Sequence, residues 1–202
     1  MQKIVRENIS NEVFKFKEVK EMFVAGVPAI VNRISFTGEL GYEIYVSPHF
    51  LLKLYEEIIE AGKEFNIKPF GSRALMSMRL EKNWGAWGLD FRPDFTAKES
   101  GLDKFIDWNK DFIGKKYAKN DQSKSKLTTL IVETEDIDVT NNEAVLSNDK
   151  CIGYITSGGY AHYLNKSIAF SYLDEKNINN NEKIQVEING NFYNCEILKN
   201  PL

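Results

Sequence analysis

The chain has 202 residues, 43% of them hydrophobic, and a formal net charge of −3. That is enough apolar material for one fair-sized domain or two small ones, and it gives no general electrostatic pull toward nucleic acid or an anionic membrane. No apolar run approaches the ~20 residues needed to span a bilayer. Charge arrives too early in Met1-Gln2-Lys3-Ile4-Val5-Arg6-Glu7 for a signal peptide's apolar core. Cys151 and Cys195 lack CxxC spacing, so reduced thiols and a cytoplasmic or matrix-like compartment are expected. With only His49 and His162 and no clustered ligands, no metal site is expected.

Residues 1–24 show no clean period. Phe14, Phe16 and Phe23 are apolar points in a charged background, and an extended lead-in is expected. Residues 28–35 and 42–46 read as paired strands around a tight glycine-rich turn at Gly38 and Gly41. Glu43 interrupts the apolar-aromatic second strand, where a carboxylate is costly unless something pairs with it. A ligand with adjacent N–H donors would be such a partner. The alternative is a plain wet face, because alternation puts Glu43 beside Tyr45. Glu39 reads as a polar turn residue.

Ser47-Pro48 signals a helix start, with Ser as N-cap and Pro at the first helical position. Leu51, Leu54, Tyr55, Ile58, Ala61 and Phe65 then share one face, and the opposite charged face carries one favourable pair, Glu60 with Lys63. Ile67–Gly71 breaks this helix. A second runs from Ser72 to Lys82 and turns Ala74, Leu75 and Met78 inward. Arg79, if interior, needs a partner, and Glu81 is the candidate. Trp84, Trp87 and Trp108 fall in irregular segments that either cover a core edge or line a cavity. Asp111–Lys116 looks like the entry to a short helix.

The polar run Asn120–Lys126 is the expected domain boundary. Beyond it the chain reads as strands at Leu127–Thr134, Glu143–Ser147, Cys151–Thr156, Ser167–Leu173, Lys183–Ile188 and Phe192–Leu198. Asn189-Gly190 is a hairpin turn, and strands of this length and spacing suggest a small antiparallel barrel or sandwich. Asn177–Asn181 reads as a turn or surface loop, and Gly158-Gly159 as a turn in a flexible loop that carries His162. A loop histidine can shuttle protons, but no carboxylate stands at fixed spacing, so loop packing is the plainer reading. No Ser-His-Asp or Cys-His arrangement and no phosphate loop is found.

Three segments stand in order: Ser35-Phe36-Thr37-Gly38-Glu39-Leu40-Gly41-Tyr42-Glu43, then Met78-Arg79-Leu80-Glu81-Lys82 with Ala86-Trp87-Gly88, then Tyr154-Ile155-Thr156-Ser157-Gly158-Gly159-Tyr160-Ala161-His162 with Lys166-Ser167-Ile168-Ala169. Together they resemble the glycine cleavage T-protein (aminomethyltransferase) superfamily. The Gly-Glu-Leu-Gly form, Arg-Leu-Glu-Lys and Ser-Gly-Gly-Tyr are closer to the dimethylglycine/sarcosine dehydrogenase branch than to the T-protein proper. The resemblance implies an α+β fold: antiparallel strands with packed helices over residues 1–120, as part of a folate-binding domain, then a small C-terminal antiparallel β-barrel over residues 121–202. It also implies tetrahydrofolate as the one-carbon acceptor. Glu43 would pair with the pteridine N–H and amino group, with Phe36 standing where the family has a tyrosine. Tyr42, Arg73 and Trp87 are further candidates for the folate site. A family arginine falls at Leu75, and Arg73 is offset from it by two residues.

The same resemblance puts the family's catalytic aspartate upstream of everything matched, so no catalytic residue is assigned. It implies the C-terminal portion of a larger protein, with an upstream domain or partner subunit completing the cavity. Any FAD domain would lie further upstream. Weak or no folate binding is expected of this chain alone. A non-catalytic folate-sensing or partner-docking module of the same fold is the alternative.

Overall fold

A computed structural model describes residues 1–179 and 183–198. The chain forms two compact units, Met1–Leu75 and Met76–Leu202. The contacts therefore divide the chain near the start of its second helix, whereas the sequence reading places a boundary at the polar run near residue 120.

The first unit is built on a three-stranded antiparallel sheet of β1 (Val19–Val24), β2 (Val27–Asn32) and β3 (Glu43–Tyr45), in the order β1-β2-β3. Part of the expected lead-in is therefore strand. Ala25 and Gly26, at φ 52 and 75, form the two-residue link between Val24 and Val27. Positive φ at both positions is what a right-twisted hairpin requires. Met22, Val24, Val27, Ala29 and Val31 face the core with Phe14, while Val19, Phe23 and Ile30 face outward.

The β2–β3 connection is a longer loop, residues 33–42, and not a tight turn. Arg33 explains why the chain does not double back at once. Its N–H bonds the Glu18 carbonyl at 3.0 Å, its own carbonyl accepts from Lys17 N–H at 3.0 Å, and its buried guanidinium bonds the Phe14 carbonyl and Asn11.

Pro48–Phe50 forms a 3₁₀ turn that leads into α1 (Leu51–Gly62). Ser47 makes no side-chain capping bond; Pro48 sets the first turn, where the Ser47 carbonyl accepts from Phe50 N–H at 2.9 Å. The expected apolar face is only partly used. Leu54 is buried and Ile58 packs beside it, but Leu51, Tyr55 and Phe65 are exposed. Phe65 lies in a 3₁₀ turn, Lys63–Phe65, whose tighter winding carries it off the helical stripe. The expected Glu60–Lys63 ion pair is present.

Helix α2 spans Ser72–Glu81. Its buried residues are Arg79 and Leu80; Leu75 and Met78 are half-buried, and Ala74 is exposed. Choosing inward positions by hydrophobicity alone misses an arginine whose charge is answered internally. A short helix, α3 (Lys115–Lys119), follows after Gly114.

The remaining strands close into a barrel ordered β4-β7-β6-β5-β8-β9. They are β4 (Ser125–Val132), β5 (Ala144–Ser147), β6 (Lys150–Ala161), β7 (Lys166–Asp174), β8 (Ile184–Ile188) and β9 (Asn191–Ile197). Leu130, Val132, Val145, Ile155, Ala169, Leu173, Val186 and Ile188 fill the interior. Strand β7 is buried on both faces, because Ile168 and Phe170 pack outward against Leu80 of α2. That explains the nearly unbroken apolar run the sequence shows there.

Asn189 and Gly190, at φ 51 and 81, make the expected turn between Ile188 and Asn191. Gly158 and Gly159 lie inside β6, so the turn expected there is corrected. Gly158 is needed because an added Cβ would sit 2.6 Å from the Val139 carbonyl oxygen. Glu175–Asn179 forms the short helix α4, so the Asn-rich run begins as helix, while Asn180 and Asn181 lie outside the described residues. No helix among the described residues is long and apolar enough to cross a membrane.

Candidate functional site

The first unit places Glu43 at the start of β3, opposite Asn32 of β2, with Tyr45 opposite Ile30. Alternation puts Glu43, Tyr45, Ile30 and Asn32 on the sheet face away from the core. Glu43 is half-buried, not enclosed. The Tyr45 hydroxyl donates to Glu43 Oε2 at 2.5 Å, and among the described residues no lysine or arginine forms an ion pair with this carboxylate. The expected shared face with Tyr45 is found, and Tyr45 is 56% exposed on it. A cleft of about 730 Å³ opens on this face, lined by Tyr45, Ile30, Phe23, Pro28, Glu21 and Glu7, among others.

The loop before β3 is held by a close approach. A Cβ on Gly41 would fall 2.8 Å from Ser35 Cβ and 2.9 Å from the Ile34 oxygen. Ser35 and Thr37 hydroxyls bond one another at 3.0 Å. Gly38 takes φ 80, where glycine is favoured.

The other expected site residues are dispersed. Phe36 is 38% exposed in the loop. Tyr42 packs on the core side, its ring tilted against Phe14 at 6.0 Å. Arg73 is exposed in the first turn of α2. Trp87 belongs to the second unit and is 82% exposed. The first unit therefore joins Glu43 with Tyr45 and Ile30, not with Tyr42. Tyr45 is the residue missed as a site component. Its signal was legible as position i+2 on the same strand.

Elsewhere the densest polar cluster lies in the second unit. Arg79 and Asp90 are both fully buried, with Arg79 Nη1 donating to Asp90 Oδ2 at 2.6 Å. Asp90 also accepts from Ala86 N–H at 2.8 Å, Ser157 Oγ at 3.0 Å and Thr156 Oγ1 at 2.5 Å. Arg79 Nη2 donates to Ser157 Oγ at 2.7 Å, and the Tyr172 hydroxyl donates to the Asp90 carbonyl at 3.0 Å. Burial lowers the Arg79 guanidinium below the ordinary arginine value, and the Asp90 charge works against that shift. Glu81 was the expected partner, but it accepts from Tyr163 N–H at 2.7 Å instead. Neither charged group has any exposed surface, so the cluster reads as a staple and not as a site.

Cys195 is pushed up to about 12 by burial, which keeps it protonated, and Cys151 is an exposed free thiol. His162 is exposed just beyond β6, edge-on to Tyr160 at 5.1 Å between ring centroids. No group of three or more His, Cys, Asp or Glu residues among those described is placed to hold a metal.

Comparison with known proteins gives consistent results. A family model of the GCVT N-terminal domain matches residues 1–110, and one of the glycine cleavage T-protein C-terminal barrel domain matches residues 126–202. The mitochondrial dimethylglycine dehydrogenase of Homo sapiens is 38% identical across all of this chain, which spans 24% of that protein. An aminomethyltransferase of Bacillus cytotoxicus is 33% identical over 93% of this chain and 52% of its own length. The chain thus spans about a quarter to a half of the curated relatives it matches. The crystal structure of the glycine cleavage system aminomethyltransferase T from Bartonella henselae superposes with a TM-score of 0.76 at 22% identity, over 86% of this chain and 49% of that one. This likeness supports the α+β fold with its closed barrel.

Proposed function

Because this chain belongs to the glycine cleavage T-protein family, we propose that Glu43 anchors the pteridine of tetrahydrofolate in an enzyme that moves a one-carbon unit from an amine donor onto that folate. The donor class is dimethylglycine, sarcosine or a glycine-derived amine. The observation that carries this reading is Glu43 itself: a half-buried carboxylate bonded by the Tyr45 hydroxyl, in no ion pair among the described residues, on an outward sheet face with exposed apolar side chains. A carboxylate offers only acceptors, and its two oxygens match two adjacent N–H donors on a planar ring. The residues present therefore fit the group.

Phe36 supplies ring packing without a phenol. Arg73, Tyr42 and Trp87 stay candidates for contacts completed in the full-length protein. The residues that activate the folate nitrogen belong to a segment upstream of those matched here, and so does any FAD domain of the dehydrogenase type. Residues 1–120 act in folate binding and residues 121–202 as the barrel that accompanies them. The compartment is cytoplasmic or matrix-like. The exposed Val19, Phe23 and Ile30 favour a second reading, a folate-sensing or partner-docking module without turnover.

Calorimetric titration of tetrahydrofolate tests the proposal, using this chain and an upstream-extended form. The extended form is expected to bind more tightly, because more of the cavity wall is present. Glu43→Gln is expected to weaken binding by about 10- to 100-fold, the worth of hydrogen bonds to a charged acceptor. Unchanged affinity in Glu43→Gln would remove the assignment. Equal affinity of the two forms would remove the upstream wall.

A further inference from the structure

We infer that Tyr45 is a positioning residue: its hydroxyl fixes the Glu43 carboxylate, and its ring forms the floor over which a flat, uncharged heterocycle lies. The inference rests on the folate reading of Glu43. Three observations lead to it.

The first is the bond itself. Tyr45 O–H reaches Glu43 Oε2 at 2.5 Å from two positions along the same strand. A half-exposed glutamate at a strand start otherwise samples several rotamers, and ordering it would weaken any ligand contact. One phenol donor leaves Oε1 and the remaining lone pair of Oε2 available to a ligand.

The second is the floor. Tyr45 stands directly opposite Ile30, which stands opposite Glu21 of β1, and Tyr45, Ile30, Phe23 and Pro28 line the cleft of about 730 Å³. That volume accommodates a bicyclic ring system.

The third is charge. Glu7 and Glu21 line this cleft together with Tyr45, whose hydroxyl holds the further negative charge of Glu43. Like charges repel a carboxylate-bearing tail from this surface. The cleft thus selects the neutral, donor-rich end of a ligand and turns its anionic end away. The Tyr45 phenol is held above the ordinary tyrosine value by its bond to Glu43, then by the Glu43 charge and desolvation, so it stays a donor through neutral pH.

The test uses Tyr45→Phe, Glu43→Gln and the double variant. Tyr45 is 56% exposed, so loss of its hydroxyl leaves folding intact. Alkaline absorbance titration of wild type minus Tyr45→Phe isolates this one phenol. It is expected to ionise above the ordinary tyrosine value, and to return toward that value in Glu43→Gln. Tetrahydrofolate calorimetry on the chain and on its upstream-extended form is then expected to show about 3- to 10-fold weaker binding for Tyr45→Phe, and no further loss when Tyr45→Phe is added to Glu43→Gln.

An ordinary phenol titration overturns the inference. So does unchanged or tighter binding by Tyr45→Phe while Glu43→Gln weakens it, an outcome that leaves the folate reading standing. Unchanged binding by Glu43→Gln, or no binding by wild type in either form, overturns the folate reading and this inference with it.

Discussion

A guanidinium with no exposed surface is tolerable only when its charge and most of its donors are answered; Asp90, Ser157 and the Trp84 carbonyl engage both terminal nitrogens of Arg79, and its Nε–H is left buried without a partner. Removing one partner leaves an uncompensated buried charge. Asp90→Ala is therefore expected to destabilise the second unit by about 3–5 kcal/mol, read as a lower urea midpoint, with Asp90→Asn costing less because it keeps the hydrogen-bonding shape. An Asp90→Ala midpoint matching wild type would show that the pair contributes nothing. Arg79 was legible as an interior arginine seeking a partner, but Asp90 was not. The pairing depends on a bulge in β6, where the register slips between Ile155 and Ser157 and both Thr156 and Ser157 turn their hydroxyls onto Asp90. A bulge that aims two consecutive side chains at one acceptor breaks the alternation on which sequence reading relies. Glu43 was easier to find, because a lone carboxylate in an apolar strand is visible without any partner. Its hydrogen-bonding partner, Tyr45, stands two residues along the same strand, where the alternation of β3 puts both side chains on one face.

Elements were legible in proportion to how local their cause is. Asn189-Gly190 announced its hairpin because both residues accept positive φ. Ala25-Gly26 makes an equivalent turn but gave no such signal, since alanine has no preference for φ 52. The barrel strands are legible nearly to their ends, except β6, which runs on past the expected Thr156 to Ala161. Its Gly158-Gly159 pair looks like a turn and is in fact strand, because Gly158 passes close to the Val139 carbonyl. Gly158→Ala puts a Cβ 2.6 Å from that oxygen. It should destabilise the protein by about 1–3 kcal/mol, seen as a lower denaturant midpoint at unchanged slope. A neutral result would mean that the loop carrying Val139 yields freely. Helix α1 shows the converse error. Its amphipathic face was real, but Leu51 and Tyr55 stay outside because only Leu54 and Ile58 reach the sheet's core.

For the whole molecule, the unit from Met76 onward is more than the barrel. Leu80 covers Ile168 and Phe170, and Phe95 stacks on Tyr172 with ring centroids 3.4 Å apart. A fragment of residues 71–202 is therefore expected to melt cooperatively by circular dichroism. A fragment of residues 126–202 exposes the outer face of β7 and strips Thr156 and Ser157 of Asp90, so it should melt lower and bind a hydrophobic dye. Equal melting of the two fragments would assign the barrel independent stability and favour the boundary near residue 120. By itself the sequence determined the α+β class, the strand spacing of the barrel, the family and the odd carboxylate at Glu43. Each of these follows from periodicity, from turn residues with required φ, or from motif order along the chain. Only tertiary structure decided that Arg79 pairs with Asp90 and that β7 is covered on both faces. Those are contacts between side chains, brought within bonding distance by register, bulges and burial that no local preference encodes.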